Sequence, residues 1–293
     1  MKVARILNDD NKETFALVNP EGNRIVTREE ISKQTGFSLP ASVEDFLFAG
    51  HSEKIKNQMK KLSFPDEIDE VKLSPPITRS FKIICLAFNY SDQASWVRFG
   101  KSHPKDPVIY MKSRTTLVGP HDDIVCPRFV TQLDYEGELA FAIGKKCKGV
   151  SELDALDYVA GYFVFNDVSA RDIQFIDKQY ARAKSFDTFG PCGPWLTTPH
   201  EIDDPCDLQL TTKVNGQIRQ NSSTKNLVLK VGRIIHGLTK VMTLEPGDII
   251  STGTPTGTVL SLSSHVKYLQ NGDVVEVEIE KLGKIRNKVV FKD

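Results

Sequence analysis

Short apolar runs bounded by glycine, proline or charged residues set the rhythm of this chain. They predict strands at Lys82–Ala87, Val108–Lys112, Leu133–Ile143, Tyr158–Phe165, Leu208–Val214, Asp248–Ser251 and Val274–Ile279. Helical spacing is rarer. Leu153–Val159 and Leu227–Val241 read as helices, the second with Leu227, Val231, Ile234, Ile235 and Leu238 on one face. Asn215-Gly216, between two strand-type runs, marks a hairpin turn.

The first 72 residues look like a separate unit, with strands at Met1–Ile6 and Thr14–Asn19 and helices at Val43–Phe48 and Glu53–Leu62. Leu73-Ser74-Pro75-Pro76-Ile77 then reads as a linker or crossover. The expectation is a small N-terminal α+β domain over 1–72 and a larger domain over 73–293. The fold class is mixed α/β, mainly β. Strands and helices do not alternate as βαβ units, which argues against a doubly wound sheet or a TIM barrel.

Composition narrows the function classes. Across 293 residues, Lys+Arg 38 balances Asp+Glu 38, so no charge excess points to nucleic acid or an anionic membrane. No apolar run approaches the ~20 residues of a membrane span. The N-terminus lacks a secretory apolar region, and the five scattered cysteines never form a CxxC pair. A cytoplasmic chain with reduced thiols is expected, Cys192 being the best candidate if one is a nucleophile.

Candidate chemistry begins at Leu133-Asp134-Tyr135-Glu136-Gly137-Glu138-Leu139. An extended chain sends residues i and i+2 to the same face, so Glu136 and Glu138 project together. Paired carboxylates in an apolar run call for a neutralising cation, and Mg²⁺ or Mn²⁺ is the simplest. Asp167 stands where the strand ending at Phe165 passes into a helical turn. There Arg171 and Gln174, three apart, share a face and can clamp a carboxylate. Alternatively, Asp167 caps that helix and Arg171 pairs with it or with Asp172. Lys184, among small and apolar residues, is a candidate desolvated cation. Gly253 and Thr254, in Ser251-Thr252-Gly253-Thr254-Pro255, lie in a turn suited to an anion.

Together these segments resemble the fumarylacetoacetate hydrolase family. The matching stretches are Asp134–Leu139, Asn166–Asp172, Ala183–Thr188, Val214–Gly216 and Glu245–Pro255, in the family's order across roughly residues 80–293. Lys184–Pro191 and Leu282–Lys288 look most like the branch often labelled fumarylacetoacetate hydrolase domain-containing protein 2. The resemblance implies a β-sandwich roll, a homodimer, and a Mg²⁺ or Mn²⁺ ion held by Glu136, Glu138 and Asp167. It further implies a small 2-oxo acid substrate with a second carbonyl or carboxylate. Such a substrate would react through an enolate by C–C cleavage (hydrolysis or decarboxylation) or keto–enol tautomerisation. Isomerisation of a 2-hydroxyhepta-2,4-diene-1,7-dioate, or dicarboxylate binding without catalysis, are the alternatives. Lys184, Arg171, Gln174, Tyr90, Gly253 and Thr254 are the implied substrate contacts.

One segment departs from the pattern. Where the family carries a lid histidine followed by a glutamate, this chain has Gln93 and Trp96 after Asn89-Tyr90. Glutamine can orient a water but cannot take its proton near neutral pH. Asp92, His103 and His121 are the nearby candidates to replace it, and Asp134 is a candidate fourth carboxylate near the ion.

Overall fold

The computed structural model describes residues 1–8, 10, 12–92, 103–261 and 267–293. Most of its strands fall into two sheets. A twelve-stranded sheet runs, by its main path, through the strands 66–67, 24–27, 13–18, 2–7, 190–197, 159–166, 137–143, 249–251, 83–87 and 108–112. A five-stranded sheet runs through 217–223, 209–214, 274–279, 283–292 and 124–127.

Strand Gly137–Ile143 is central, paired antiparallel with Val159–Asn166 on one side and Ile249–Ser251 on the other. All seven of its residues are buried because both faces are covered. Leu139, Phe141 and Ile143 enter a core shared with the five-stranded sheet and the helix Val231–Val241. Ala140 and Ala142 enter a second core with Phe15, Phe46 and Phe163. That two-sided burial explains why the run reads as almost continuously apolar.

The expected boundary at residue 72 is crossed by sheet pairing. Strand Lys2–Leu7 pairs antiparallel with Gly190–Thr197, as Lys2 with Thr197 and Val3 with Leu196. The buried Arg5 donates to Glu44 of the helix Val43–Phe48 at 2.5 Å.

Several expected elements need correction. The Leu133–Ile143 run breaks into Leu133–Asp134 and Gly137–Ile143. The helix at Leu153–Val159 is a short 3-10 turn, Ala155–Tyr158, and Leu153 lies outside it, 95% exposed. The long helix starts at Val231 rather than Leu227, whose backbone instead bridges to Tyr90. The second N-terminal helix ends at Lys56, followed by a 3-10 turn, Met59–Lys61.

Candidate metal centre

Glu136, Glu138 and Asp167 converge: one oxygen from each lies within 4.8 Å of the others, and all three side chains are buried. The break in the 133–143 run permits this. Glu136 sits in the gap, its amide hydrogen-bonded to the Asn166 side chain and its carbonyl to the amide of Asp167. Gly137 lets the second sheet close over the pair. A Cβ there would lie 2.3 Å from Thr212 Oγ1 and 2.9 Å from Val277 Cγ1.

Each carboxylate has an oxygen held by a neighbouring donor, and Asp167 has both, because Tyr110 donates to its Oδ2. Arg171 donates to Glu136 Oε1 at 2.5 Å, and Lys112 to Asp167 Oδ1 at 2.6 Å. Ser251 Oγ at 2.5 Å and the Gly253 amide at 2.9 Å hold Glu138 Oε2. The other oxygens turn inward. Lys184 Nζ spans two of them, donating to Glu136 Oε2 and, at 2.9 Å, to Asp167 Oδ2. Glu138 Oε1 is buried and has no hydrogen-bond partner among the described residues.

Three cations (Lys112, Arg171, Lys184) thus face four carboxylates, counting Asp134, which Arg171 also contacts at 2.9 Å. Burial pushes the Glu138 carboxyl well above the usual glutamate range, and the Asp167 and Glu136 charges push it further. Burial opposes the charge on Asp167 too, yet Lys112 and Lys184 outweigh it and hold that carboxyl down at about 2. Lys184 is fully buried, but Asp167 and Glu136 keep it protonated beyond the ordinary lysine range. An unpartnered buried carboxylate oxygen beside two inward ones, all hard donors, fits a hard divalent cation.

The expected substrate contacts divide. Arg171 is wholly engaged by the protein, with Asp134, Glu136 and, at 2.9 Å, Gln174 around its guanidinium. It pairs with neither Asp167 nor Asp172, and Ala170 rather than Asp167 holds the position before the helix Arg171–Asp177. The anion that the Gly253 amide binds is the protein's own Glu138. Thr254 Oγ1 donates to Gly137 O and accepts from Gln220. Tyr90 is buried and its hydroxyl has no partner among the described residues. Asp134 accepts from the Tyr135, Val259 and Leu260 amides as well as Arg171, so it braces the site from behind.

Gln93 and Trp96 lie outside the described residues. Asp92 Oδ2 is held by Ser222 at 2.7 Å, while His103 and His121 are exposed. Cys192 is fully buried, which raises its thiol far above the range of a nucleophile. Sequence reading missed Tyr110 and Lys112, which reach Asp167 from one face of the strand Val108–Lys112. A lysine closing an otherwise uncharged strand was the available signal.

A mainly β fold with a buried cation–carboxylate cluster defines the class. The chain belongs to the fumarylacetoacetate hydrolase family: the pattern described as Fumarylacetoacetate (FAA) hydrolase C-terminal matches residues 82–290. The enzyme is 42% identical over 257 residues to oxaloacetate tautomerase fahd2, mitochondrial, of Xenopus laevis, covering 86% of this chain and 80% of that protein. The fumarylacetoacetate hydrolase of Exiguobacterium antarcticum superposes with a TM-score of 0.81 at 32% identity, over 100% of both chains. The maleylpyruvate hydrolase of Sphingobium sp. SYK-6, solved with manganese(II) and pyruvate, gives 0.79 at 29% identity, again over 100% of both.

Proposed function

We propose that this enzyme interconverts the keto and enol forms of an oxaloacetate-type 2-oxo acid with the help of Mg²⁺ or Mn²⁺. The observation that carries the reading is the inward trio of carboxylate oxygens, with the Lys184 ammonium across two of them. An ion held by Glu136, Glu138 and Asp167 supplies a Lewis acid for the oxo-carboxylate.

The chain's own groups supply the rest. Lys184 stays protonated, so it acts as a fixed positive charge for the oxygen on which negative charge develops, rather than as a base. Arg171, Lys112 and Ser251 keep the three carboxylates aimed.

Tautomerisation shifts a proton between carbon and oxygen. It breaks no carbon–carbon bond and consumes no water, so it needs no activated water. Gln93 and Trp96, at the positions of the family's water-activating pair, suit that chemistry better than hydrolysis. The name of the Xenopus relative supports the same choice.

The test follows the ultraviolet absorbance of enol oxaloacetate with metal-loaded protein, beside pyruvate release from acylpyruvates. Rapid decay of the enol signal, lost in Lys184→Met, is expected. Pyruvate release without any effect on the enol would replace the proposal with hydrolysis.

A further inference from the structure

A second cavity lies away from the metal centre, with a volume of about 740 Å³, the size of a small-molecule site. The N-terminal segment supplies Leu47, Phe48, Met59 and Phe64 to its wall, and the larger domain supplies Val159 and Ala160. All of these except Val159 pack on the second core yet stay only partly buried, so apolar surface remains open to the cavity. Leu156 at its edge is 44% exposed. Apolar surface gathered in a concavity is unfavourable to leave in water and marks a place for a ligand.

The central strands separate this cavity from the acidic trio. Gly137 lies opposite Asn166, and Ile143 opposite Val159. Glu138 and Asp167 therefore stand at one end of the strand pair, while Gly144, Lys145, Val159 and Ala160 border the cavity at the other. The distance along the strands is about 20 Å.

Its edge carries charge. Glu53 stands 4.0 Å from Lys56, and Glu201 accepts from the Met1 amine at 2.6 Å. Lys60 and Lys145 are exposed at the cavity, and neither makes an ion pair or hydrogen bond among the described residues. One acid on the edge, Asp157, is likewise unpaired among them. Two ammonium groups against one carboxylate leave the edge positive. A neutral hydrocarbon would answer only the wall, and a small inorganic anion only the lysines.

We propose that this cavity is a second binding site, for a carboxylate with a hydrocarbon body. The body lies over Phe48, Met59, Phe64 and Ala160, and the carboxylate meets Lys60 and Lys145. Met59, unbranched and adaptable, suits a wall that must follow a flexible chain. Such a ligand differs from the 2-oxo acid of the metal centre, which is polar along its length.

Calorimetric titration of the full chain in chelator with decanoate, below its micelle concentration, tests this beside decanol and decyltrimethylammonium. Decanoate is expected to bind more tightly than either. Lys60→Gln and Lys145→Gln should each weaken decanoate by about three-fold and leave decanol unchanged. Ala160→Leu, which fills the wall, should weaken both decanoate and decanol. Mn²⁺ uptake by the lysine variants should match wild type, which keeps this site separate from the metal centre. If Ala160→Leu does not fold, the two lysine variants, altered only at exposed positions, decide the matter. Equal affinity for all three molecules, decanoate binding indifferent to both lysines, or no binding at all overturns the proposal. A wild-type dimer that the same variants dissociate, with decanoate unbound, also overturns it and makes this wall a contact with a second copy.

Discussion

Glu138 stores an unfavourable charge in the metal-free protein. It is fully buried, one oxygen lacks a donor among the described residues, and burial with two neighbouring carboxylates raises its pKa. An acid whose folded pKa is raised contributes stability below its unfolded value, about 4.3, and loses it as pH rises through the folded value. At neutral pH, Glu138→Gln is therefore expected to melt higher than wild type in chelator, yet to gain nothing from added Mg²⁺. Differential scanning calorimetry with and without the ion reads both. Ion binding needs the ionised carboxylate, so affinity should climb with pH from above the ordinary glutamate range until the raised pKa is passed. Proton release measured in buffers of different ionisation enthalpy checks that sign. Of the residues here, spacing singled out Glu136 and Glu138, though as parts of one unbroken strand, and surroundings singled out Lys184, while Asp167 joined the set through the family resemblance. Gln174 beside Arg171 was legible from the three-residue spacing, but the acidic partners were not, because Asp134 and Glu136 meet it only through the tertiary fold.

Among elements, the strands that alternate or run apolar between breakers were readable, Val108–Lys112 and Val274–Ile279 to the residue. Gly190–Thr197 escaped: two glycines and two prolines hide a strand whose eight residues are all buried. Its fit comes from neighbours on both sides rather than from its own pattern. Helix Val231–Val241 was readable because its buried residues keep helical spacing, but its start was not. Close approach of elements also makes a prediction. Gly137→Ala forces a methyl into Thr212 and Val277 of the facing sheet, so a loss of about 1–3 kcal/mol is expected. Because the glutamates flank that glycine, weaker Mn²⁺ binding should accompany the lower Tm. Denaturant melts and Mn²⁺ titration of the same variant separate the two effects.

At the scale of the molecule, composition and motif order gave the class, while the join between the N-terminal segment and the rest was hidden. Pairing of Lys2–Leu7 with Gly190–Thr197 depends on residues far apart in sequence. The Arg5–Glu44 contact clasps the same region, with both side chains nearly inaccessible. Glu44→Ala leaves Arg5 with only the half-exposed Glu13 and the Pro75 carbonyl, and should cost about 3–5 kcal/mol by urea denaturation. Burial opposes the Glu44 charge, but Arg5 and the Thr78 and Arg79 amides hold its pKa below the usual value. Its contribution is thus present above the unfolded pKa and vanishes as pH falls through the lowered one. Wild type should show that acid loss, and Glu44→Ala should not. Deleting residues 1–72 bares the edge of Gly190–Thr197, so the remainder is expected to aggregate, as light scattering would reveal.

The interruption at Tyr135 and Glu136 also constrains how the gene can change in length. Beyond it, odd-numbered side chains of the 137–143 strand serve one core and even-numbered ones the other, Glu138 keeping step with Ala140 and Ala142. A codon gained or lost between the two acidic residues would throw every following side chain to the opposite layer, burying phenylalanine where alanine belongs. This short stretch therefore accepts no inserted or deleted residue without losing the register of the strand that follows.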